Sequence, residues 1–268
     1  MPRLSRRHLL SSAAAMLLAG ARPALALGQF APRGNGRMDH AAFDRLLGAY
    51  VMPDAAGYNR IDYRRFRNEA HDVLKAYVAV LESAQPTTLS AAEAQAYWIN
   101  LYNAKTLDVV LNHYPVRSIK EIRLGGGGLF GSGPWSRNLM MVDGVDLSLD
   151  DVEHRIVRAV FDDPMSHYGL NCASYSCPNL AVRAFTGGNL QGLLAQNAHA
   201  YVNHPRGVAV RSGRIAASKI YSWYAADFGG RSRLKAHWSV FAAPDHRIAI
   251  EAASLGRFVY DWSLNDIV

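Results

Sequence analysis

The stretch Ser90–Pro115, SAAEAQAYWINLYNAKTLDVVLNHYP, carries the clearest helix signals in the chain. Ser90 and Glu93 have the spacing of a capping box, in which the two side chains bond free backbone N–H groups at the start of a helix. Pro115 marks the end, because proline cannot continue a helix. Between these limits one side of the predicted helix is a single stripe, made up of Ile99, Asn103, Leu107, Val110 and Tyr114.

Asn103 is the polar member of that apolar stripe. A buried amide without hydrogen-bond partners costs about 1–3 kcal/mol, so its donors and its acceptor must be paired. One interpretation is that Asn103 ties the helix to the backbone of a loop. The other is that it orients a neighbouring catalytic group. The sequence leaves both open.

The remaining pattern predicts an α+β fold, in which a helix-rich N-terminal half packs on a small, mostly antiparallel sheet. Further helices are expected near 39–51, 64–82, 148–161 and 189–202, and one from the cysteines to about 185. Turns at Asp143-Gly144 and Ser212-Gly213 predict two hairpins. The segments RIAIE (247–251) and GRFVYDW (256–262) are expected to be strands.

The stretch His167–Leu180, HYGLNCASYSCPNL, holds both cysteines of the chain. One interpretation is a Cys172–Cys177 disulfide or two inert thiols, although so short a loop would gain little stability from a cross-link. The other is a nucleophile. Pro178 is typical of the first position of a helix, which would place Cys177 at a helix N-terminus, where the thiolate is favoured.

A cysteine nucleophile needs a base, and the base usually has an orienting partner. His167 precedes Cys172 by five residues, and His154 follows Glu153 on a predicted helix. Backbone N–H groups near Cys172 would then form the oxyanion site. The two histidines and two cysteines could also bind zinc, but they lack the spacing of known zinc motifs, so the sequence predicts no metal and no cofactor.

The first 28 residues, MPRLSRRHLLSSAAAMLLAGARPALALG, resemble an export signal. The pattern Ser5–Leu10 is typical of twin-arginine export, and a general secretory signal is the alternative. We therefore expect an export signal at 1–26, a mobile leader at 27–37, a single domain at 38–268, and an exported or periplasmic protein. The apolar run is too short to span a bilayer, and no transmembrane segment is expected in the mature chain.

The charge of the mature chain is modest. The whole sequence has a formal charge of +7, and residues 1–26 contain four arginines and no acidic residue, so about +3 remains (7 − 4). No basic cluster with interleaved aromatic residues is present, which argues against nucleic-acid binding. The glycine-rich segment 125–134 lacks the residues of a phosphate-binding loop and is interpreted as a mobile loop or lid.

Five blocks of this sequence resemble the DUF547 family, a domain family of unknown function. They are residues 97–104 (YWINLYNA), 113–116 (HYPV), 147–154 (LSLDDVEH), 167–180 and 260–265 (YDWSLN). The resemblance implies a thiol-hydrolase-like α+β fold of the papain or transglutaminase kind. The Asn171-Cys172 step is also similar to the Asn-Cys entry of lecithin:retinol acyltransferase-type enzymes, an analogy at the level of the fold.

The leading hypothesis is an exported cysteine-dependent hydrolase or acyl/amide transferase with a small-molecule or peptide-like substrate. Cys172 would be the nucleophile, His154 or His167 the base, and Glu153 or Asn103 the orienting group. Supporting roles fall to Asn171, Ser174, Cys177, Asn100 and Trp98. The competing hypothesis is a non-catalytic binding or scaffold domain with a Cys172–Cys177 disulfide. Protein partners are not predicted.

Overall fold

The computed structural model describes residues 28–124 and 133–267. The predicted export signal at 1–26 and residues 125–132 of the glycine-rich loop lie outside the described residues. The helices are α1 (Ala41–Tyr50), α2 (Tyr63–Glu82), α3 (Ala91–His113), α4 (Arg158–Phe161), α5 (Leu190–Val202), α6 (Ile220–Trp223), α7 (Leu234–Phe241) and α8 (Pro244–Ala252). The strands are β1 (Val51–Pro53), β2 (Asn59–Ile61), β3 (Asn138–Val142), β4 (Val145–Ser148), β5 (Val208–Arg211), β6 (Arg214–Ser218) and β7 (Ser254–Val259). The predicted α+β class is confirmed.

Helix α3 is the centre of the N-terminal half. Its start is the predicted one, since Ser90 Oγ accepts the Glu93 N–H at 3.4 Å. The helix is buried on nearly every face rather than along one stripe, with Tyr97, Trp98 and Ile99 all fully buried. A helix that is apolar all round belongs inside a core, and α3 lies within the larger of two hydrophobic clusters.

The sheets are small and separate. Strands β1 and β2 form one antiparallel pair, and β3 and β4 form another around the predicted Asp143-Gly144 turn. The largest sheet has the order β5-β6-β7, with β5 and β6 antiparallel across Ser212-Gly213 and β7 parallel to β6. It packs against the second hydrophobic cluster, which includes Tyr201, Tyr221 and Trp238.

The strand predicted at RIAIE is wrong, because this segment lies in helix α8. Pro244 occupies the first turn of that helix, a position where its fixed φ is favourable. Ile250 is fully buried while Ile248 is 64% exposed. A strand would place these two residues on the same face, whereas a helix rotates them apart.

Residues 28–37 differ from the expected mobile leader. Phe30 is buried against Trp98, with ring centroids 5.1 Å apart. The backbone N–H groups of Arg33 and Gly36 donate to the carbonyls of Thr87 and Thr88 at 2.8 and 3.0 Å. This segment is held because an aromatic side chain is removed from water and the backbone has partners.

The helix predicted from the cysteines to about Phe185 is also wrong, because that segment is irregular. Asparagine side chains take the carbonyls that a helix would use: Asn171 donates to Pro178 O, Asn59 to Leu180 O and Asn100 to Phe185 O. Asparagine competes with regular structure in this way because its short amide reaches the backbone. Cys177 therefore does not lie at a helix N-terminus.

The cysteine segment crosses between the two hydrophobic clusters. Tyr168 belongs to the second cluster, whereas Leu170, Ala173 and Leu180 belong to the first.

The helix that precedes the cysteine segment begins as predicted at Ser148, with the Asp151 N–H 3.1 Å from Ser148 Oγ. Its turns Asp151–Val157 are π-helical before α4 begins. π-Helical turns are uncommon in proteins, and those that occur often lie at functional sites. None of the helices among the described residues is long and apolar enough to cross a membrane.

Candidate functional site

The two cysteines meet at the turn of an irregular loop. Cys172 Sγ and Cys177 Sγ lie 2.7 Å apart, and both are free thiols. Ala173, between them, has φ +62°, a left-handed conformation that costs about 1–3 kcal/mol for a residue other than glycine. The turn directs the Cys172 N–H at Cys177 Sγ, with N and S 3.0 Å apart. Strained backbone of this kind is concentrated at functional sites.

Two hydroxyl groups complete the cluster around the sulfurs. Ser174 Oγ lies 3.4 Å from Cys172 Sγ and 3.3 Å from Cys177 Sγ. Tyr260 reaches in from beyond β7, and its hydroxyl is 3.3 Å from each sulfur and 2.7 Å from Ser174 Oγ. Cys177, only 2% exposed, can therefore receive hydrogen bonds from a backbone N–H, a thiol and two hydroxyls.

These donors decide where the pair carries its charge. Burial opposes ionisation of the Cys177 thiol, but hydrogen bonds from Cys172, Ser174 and Tyr260 outweigh it and lower its pKa to about 6. The hydrogen bond with Cys177, together with burial, raises the pKa of Cys172 well above its ordinary value. Because the Cys172 N–H is a fixed donor to Cys177, the pair loses its first proton easily and keeps the second.

The pH dependence of alkylation tests this charge distribution. We expect the iodoacetamide rate to rise through about pH 6 and to be close to its plateau at pH 7, where a thiol of pKa about 6 is about nine-tenths ionised. The adduct should form on Cys172, the more exposed sulfur, after the shared proton moves to Cys177. The measurement is peptide mass spectrometry across a pH series, with glutathione as control. A single rise near pH 8.5 would contradict the assignment.

The sulfurs lie at the base of a cleft with a volume of about 270 Å³. One wall is aromatic, where the Tyr260 ring packs at an angle against Trp223 and Trp262 with ring centroids 4.8 and 4.6 Å away. The other wall comes from the π-helical turns. The lining residues are Tyr102, Trp135, Asp150, Glu153, His154, His167, Leu170, Cys172, Cys177, Ile220, Trp223, Tyr224, Tyr260 and Trp262. Four predicted catalytic residues, Cys172, His154, His167 and Glu153, thus line one cleft.

His167 is held by an aspartate that the sequence reasoning missed. Its Nε2 lies 2.7 Å from Asp227 Oδ2, and its ring stacks on Tyr224 at 4.4 Å. Arg158 donates to both oxygens of Asp227, at 2.6 and 2.9 Å. Hydrogen bonds from Arg158 and then from His167 hold the pKa of Asp227 well below its usual range. His167 is therefore a buried imidazole oriented through Nε2, which leaves Nδ1 as its other nitrogen.

His154 and Glu153 have different surroundings. His154 is partly exposed, and its Nδ1 lies 3.3 Å from Arg158 Nη1 while Nε2 is 3.8 Å from Asp150. Glu153 accepts a hydrogen bond from the Tyr102 hydroxyl at 3.0 Å. The hydrogen-bond partners of the two sulfurs among the described residues include neither histidine. Among the described residues, the hydrogen bond of His167 is to Asp227 rather than to the predicted Glu153 or Asn103.

Asn103 and Asn100 hold the loop that carries the cysteines. Asn103 donates to Gly169 O and accepts the Asn171 N–H, both at 2.8 Å. Asn100 donates to Phe185 O and accepts the Phe185 N–H, at 2.7 and 3.0 Å. Each amide satisfies one carbonyl and one N–H of irregular backbone, which helices and strands would otherwise satisfy. Asn103 thus ties α3 to the backbone directly before Cys172.

Asn171 occupies the inside of the turn. Its side chain donates to Pro178 O at 2.7 Å and accepts the Ala173 N–H at 2.9 Å. The N–H groups of Asn171, Cys172 and Ala173 donate to the side chains of Asn103, Cys177 and Asn171, so they do not form the expected oxyanion site. Trp98 lies in the core against Phe30 and does not line the cleft.

Asp227 contacts His167, and Tyr260 contacts the two sulfurs. The sequence predicted a role for neither residue. Asp227 is the single carboxylate in the apolar stretch IYSWYAADF, which is a weak signal. Tyr260 lies in the fifth block, YDWSLN, which pointed to its importance without a role. Among the described residues, no group of three or more His, Cys, Asp or Glu side chains is arranged to hold a metal ion.

Fold and site together define an α+β protein with a two-cysteine centre at the base of an aromatic cleft. Residues 86–202 match the family model described as "Protein of unknown function, DUF547". This match supports the resemblance to the DUF547 family that the sequence blocks predicted. No curated protein and no solved structure matches the chain. The matched segment contains both cysteines and His167, whereas Asp227 and Tyr260 lie beyond it.

Proposed function

We propose that the protein is a cysteine-dependent hydrolase or acyl/amide transferase with Cys172 as the nucleophile. The observation that carries the proposal is that Cys172 lines the same cleft as His167, which Asp227 orients. A nucleophile and an oriented base in one cleft are the recurring parts of covalent acyl transfer. The candidate substrates are small molecules or peptides with an ester, thioester or amide bond.

The proposed reaction begins with attack of the Cys172 sulfur on a carbonyl carbon. A C–S bond forms as the remaining proton of the pair moves from Cys172 to Cys177, 2.7 Å away. His167 takes the first proton that the cysteine pair loses and then gives it to the departing alcohol or amine. The bond between that group and the carbonyl carbon breaks, which leaves a thioester. Water or an acceptor amine then attacks the thioester and passes its proton to His167, and the C–S bond breaks.

Two polar groups support this sequence of steps. The Asp227 carboxylate stabilises His167 while it carries the proton, at a distance of 2.7 Å. The Tyr260 hydroxyl, 3.3 Å from Cys172 Sγ, is placed to donate to the oxygen that becomes negative during the attack. Burial raises the pKa of Tyr260, which keeps its hydroxyl protonated as a donor at neutral pH.

The reaction of the fully reduced protein with p-nitrophenyl acetate tests the proposal. We expect a burst of about one equivalent of nitrophenolate per chain, followed by slower turnover, because acylation and deacylation are separate steps. Peptide mass spectrometry should place the acetyl group on Cys172. Absence of a burst, or acetyl groups distributed over lysines, would exclude this function and favour a binding or scaffold domain.

We also propose that residues 1–26 direct export and that the protein acts outside the cytoplasm. The pattern SRRHLL at 5–10 supports the twin-arginine route, on which a receptor reads the two arginines. Replacing both, Arg6→Lys with Arg7→Lys, should leave the protein in the cytoplasm of a bacterial host. Cell fractionation with an antibody measures this, and Arg3→Lys is the matched control. Continued export of the double variant would point to the general secretory route.

A further inference from the structure

We propose that Cys172 and Cys177 also act as a dithiol that exchanges with small disulfides, a second activity of the same cleft. The activity goes beyond acyl transfer and does not depend on it. It rests first on the contact between the sulfurs, since two thiols 2.7 Å apart can form an intramolecular bond without rearrangement of the fold. The loop is held in this shape by Asn103 and Asn171.

The exposure of the two sulfurs assigns their order in the exchange. Cys172 is part-exposed and lines the cleft, so an incoming disulfide reaches it first. Cys177 lies behind it, with 2% of its surface exposed, and can attack only a sulfur already bound to Cys172. Cys172 is thus the attacking thiol and Cys177 the resolving thiol.

The exchange proceeds in two balanced steps. The Cys172 sulfur attacks one sulfur of R–S–S–R, a mixed disulfide forms, and the first thiol leaves with a proton. The Cys177 sulfur then attacks Cys172 Sγ, the bond to the remaining RS group breaks, and a second thiol leaves with the other proton of the pair. The protein is oxidised by two electrons when the Cys172–Cys177 disulfide forms. The substrate disulfide is reduced by the same two electrons to two thiols.

The surroundings of Cys177 suit a thiolate that resolves a mixed disulfide. The Cys172 N–H, Ser174 and Tyr260 direct hydrogen bonds at its sulfur over 3.0–3.3 Å. Donors in this arrangement stabilise negative charge on sulfur and keep a fraction of the pair reactive at neutral pH. The lowered pKa of Cys177 is consistent with this arrangement.

The cleft also selects the charge of the disulfide. Asp150 and Glu153 line it, and no lysine or arginine is among its described lining residues. Carboxylates beside an aromatic wall favour cations over anions. Cystamine, which carries two ammonium groups, should therefore react faster than neutral hydroxyethyl disulfide, and dithiodipropionate, with two carboxylates, should react slowest.

The experiment follows thiol release from each of these three disulfides by the reduced mature protein. The wild type should release two equivalents of thiol and gain a Cys172–Cys177 disulfide, which excess mercaptoethanol should reduce again. Cys177→Ser should release one equivalent and keep a mixed disulfide on Cys172. The cystamine rate should exceed the dithiodipropionate rate about tenfold at low salt, and this difference should shrink at high salt.

Several results would overturn the proposal. The wild type could remain a mixed disulfide or fail to react, or the internal disulfide could resist reduction, as a structural cross-link would. Equal rates for the three disulfides would exclude the charge selection. The wild-type measurements do not require the variant to fold, and circular dichroism checks the fold of Cys177→Ser. Acylation is measured without any disulfide present, so the two activities can fail separately.

Discussion

Cys172→Ser is expected to abolish the acetyl adduct and lower the nitrophenolate burst at least about 100-fold. The serine hydroxyl keeps the shape of the side chain but is almost never ionised at neutral pH, so the nucleophile is lost. The fold should persist, because Cys172 contacts the cleft rather than the interior of either hydrophobic cluster. Burst amplitude and intact mass measure the effect.

Cys177→Ser is the matched comparison for this prediction. Without Cys177 the remaining thiol no longer belongs to a pair that loses one proton easily, so a smaller share of the sulfur should be ionised at pH 7. A thiolate of higher pKa is also intrinsically more nucleophilic, which offsets part of this loss. We expect acylation to slow severalfold but to remain on Cys172. An adduct that survives Cys172→Ser would identify another nucleophile.

Asn103→Leu should lower the free energy of unfolding by about 3 kcal/mol. Asn103 is 2% exposed, and both of its hydrogen bonds go to buried backbone before Cys172. Leucine fills a similar volume but leaves the Gly169 carbonyl and the Asn171 N–H without partners, at about 1–3 kcal/mol each. Without these bonds the loop should no longer hold Cys172 in its position in the cleft, so the rate of iodoacetamide labelling should fall.

Asn112→Leu controls for the general effect of the substitution on helix α3. Asn112 is exposed, and among the residues that the structure describes its amide donates to Asp108 in the same helix. We expect its unfolding free energy to change by less than about 0.5 kcal/mol. Urea unfolding of both variants gives the comparison. Equal, small changes for the two would show that Asn103 does not hold the loop.

Local signals predicted one helix cap and two turns correctly. The Ser90 cap, the Asp143-Gly144 turn and the Ser212-Gly213 turn are where the sequence predicts them. Each depends on bonds or dihedral angles within a few residues, which the residue types themselves determine. The same signals failed after Pro178, because Asn59 and Asn100 come from distant parts of the chain and take the carbonyls a helix would have used.

The sequence by itself determined the candidate site residues: a pair of cysteines five apart, two histidines, and an asparagine inside an apolar helix. Tertiary structure decided how they meet. Asp227 lies 60 residues from His167 and Tyr260 lies 88 from Cys172, so only folding brings them into contact. Hydrogen bonds act over about 3 Å regardless of separation along the chain. For that reason no local sequence pattern predicts that Asp227 contacts His167 or that Tyr260 contacts the sulfurs.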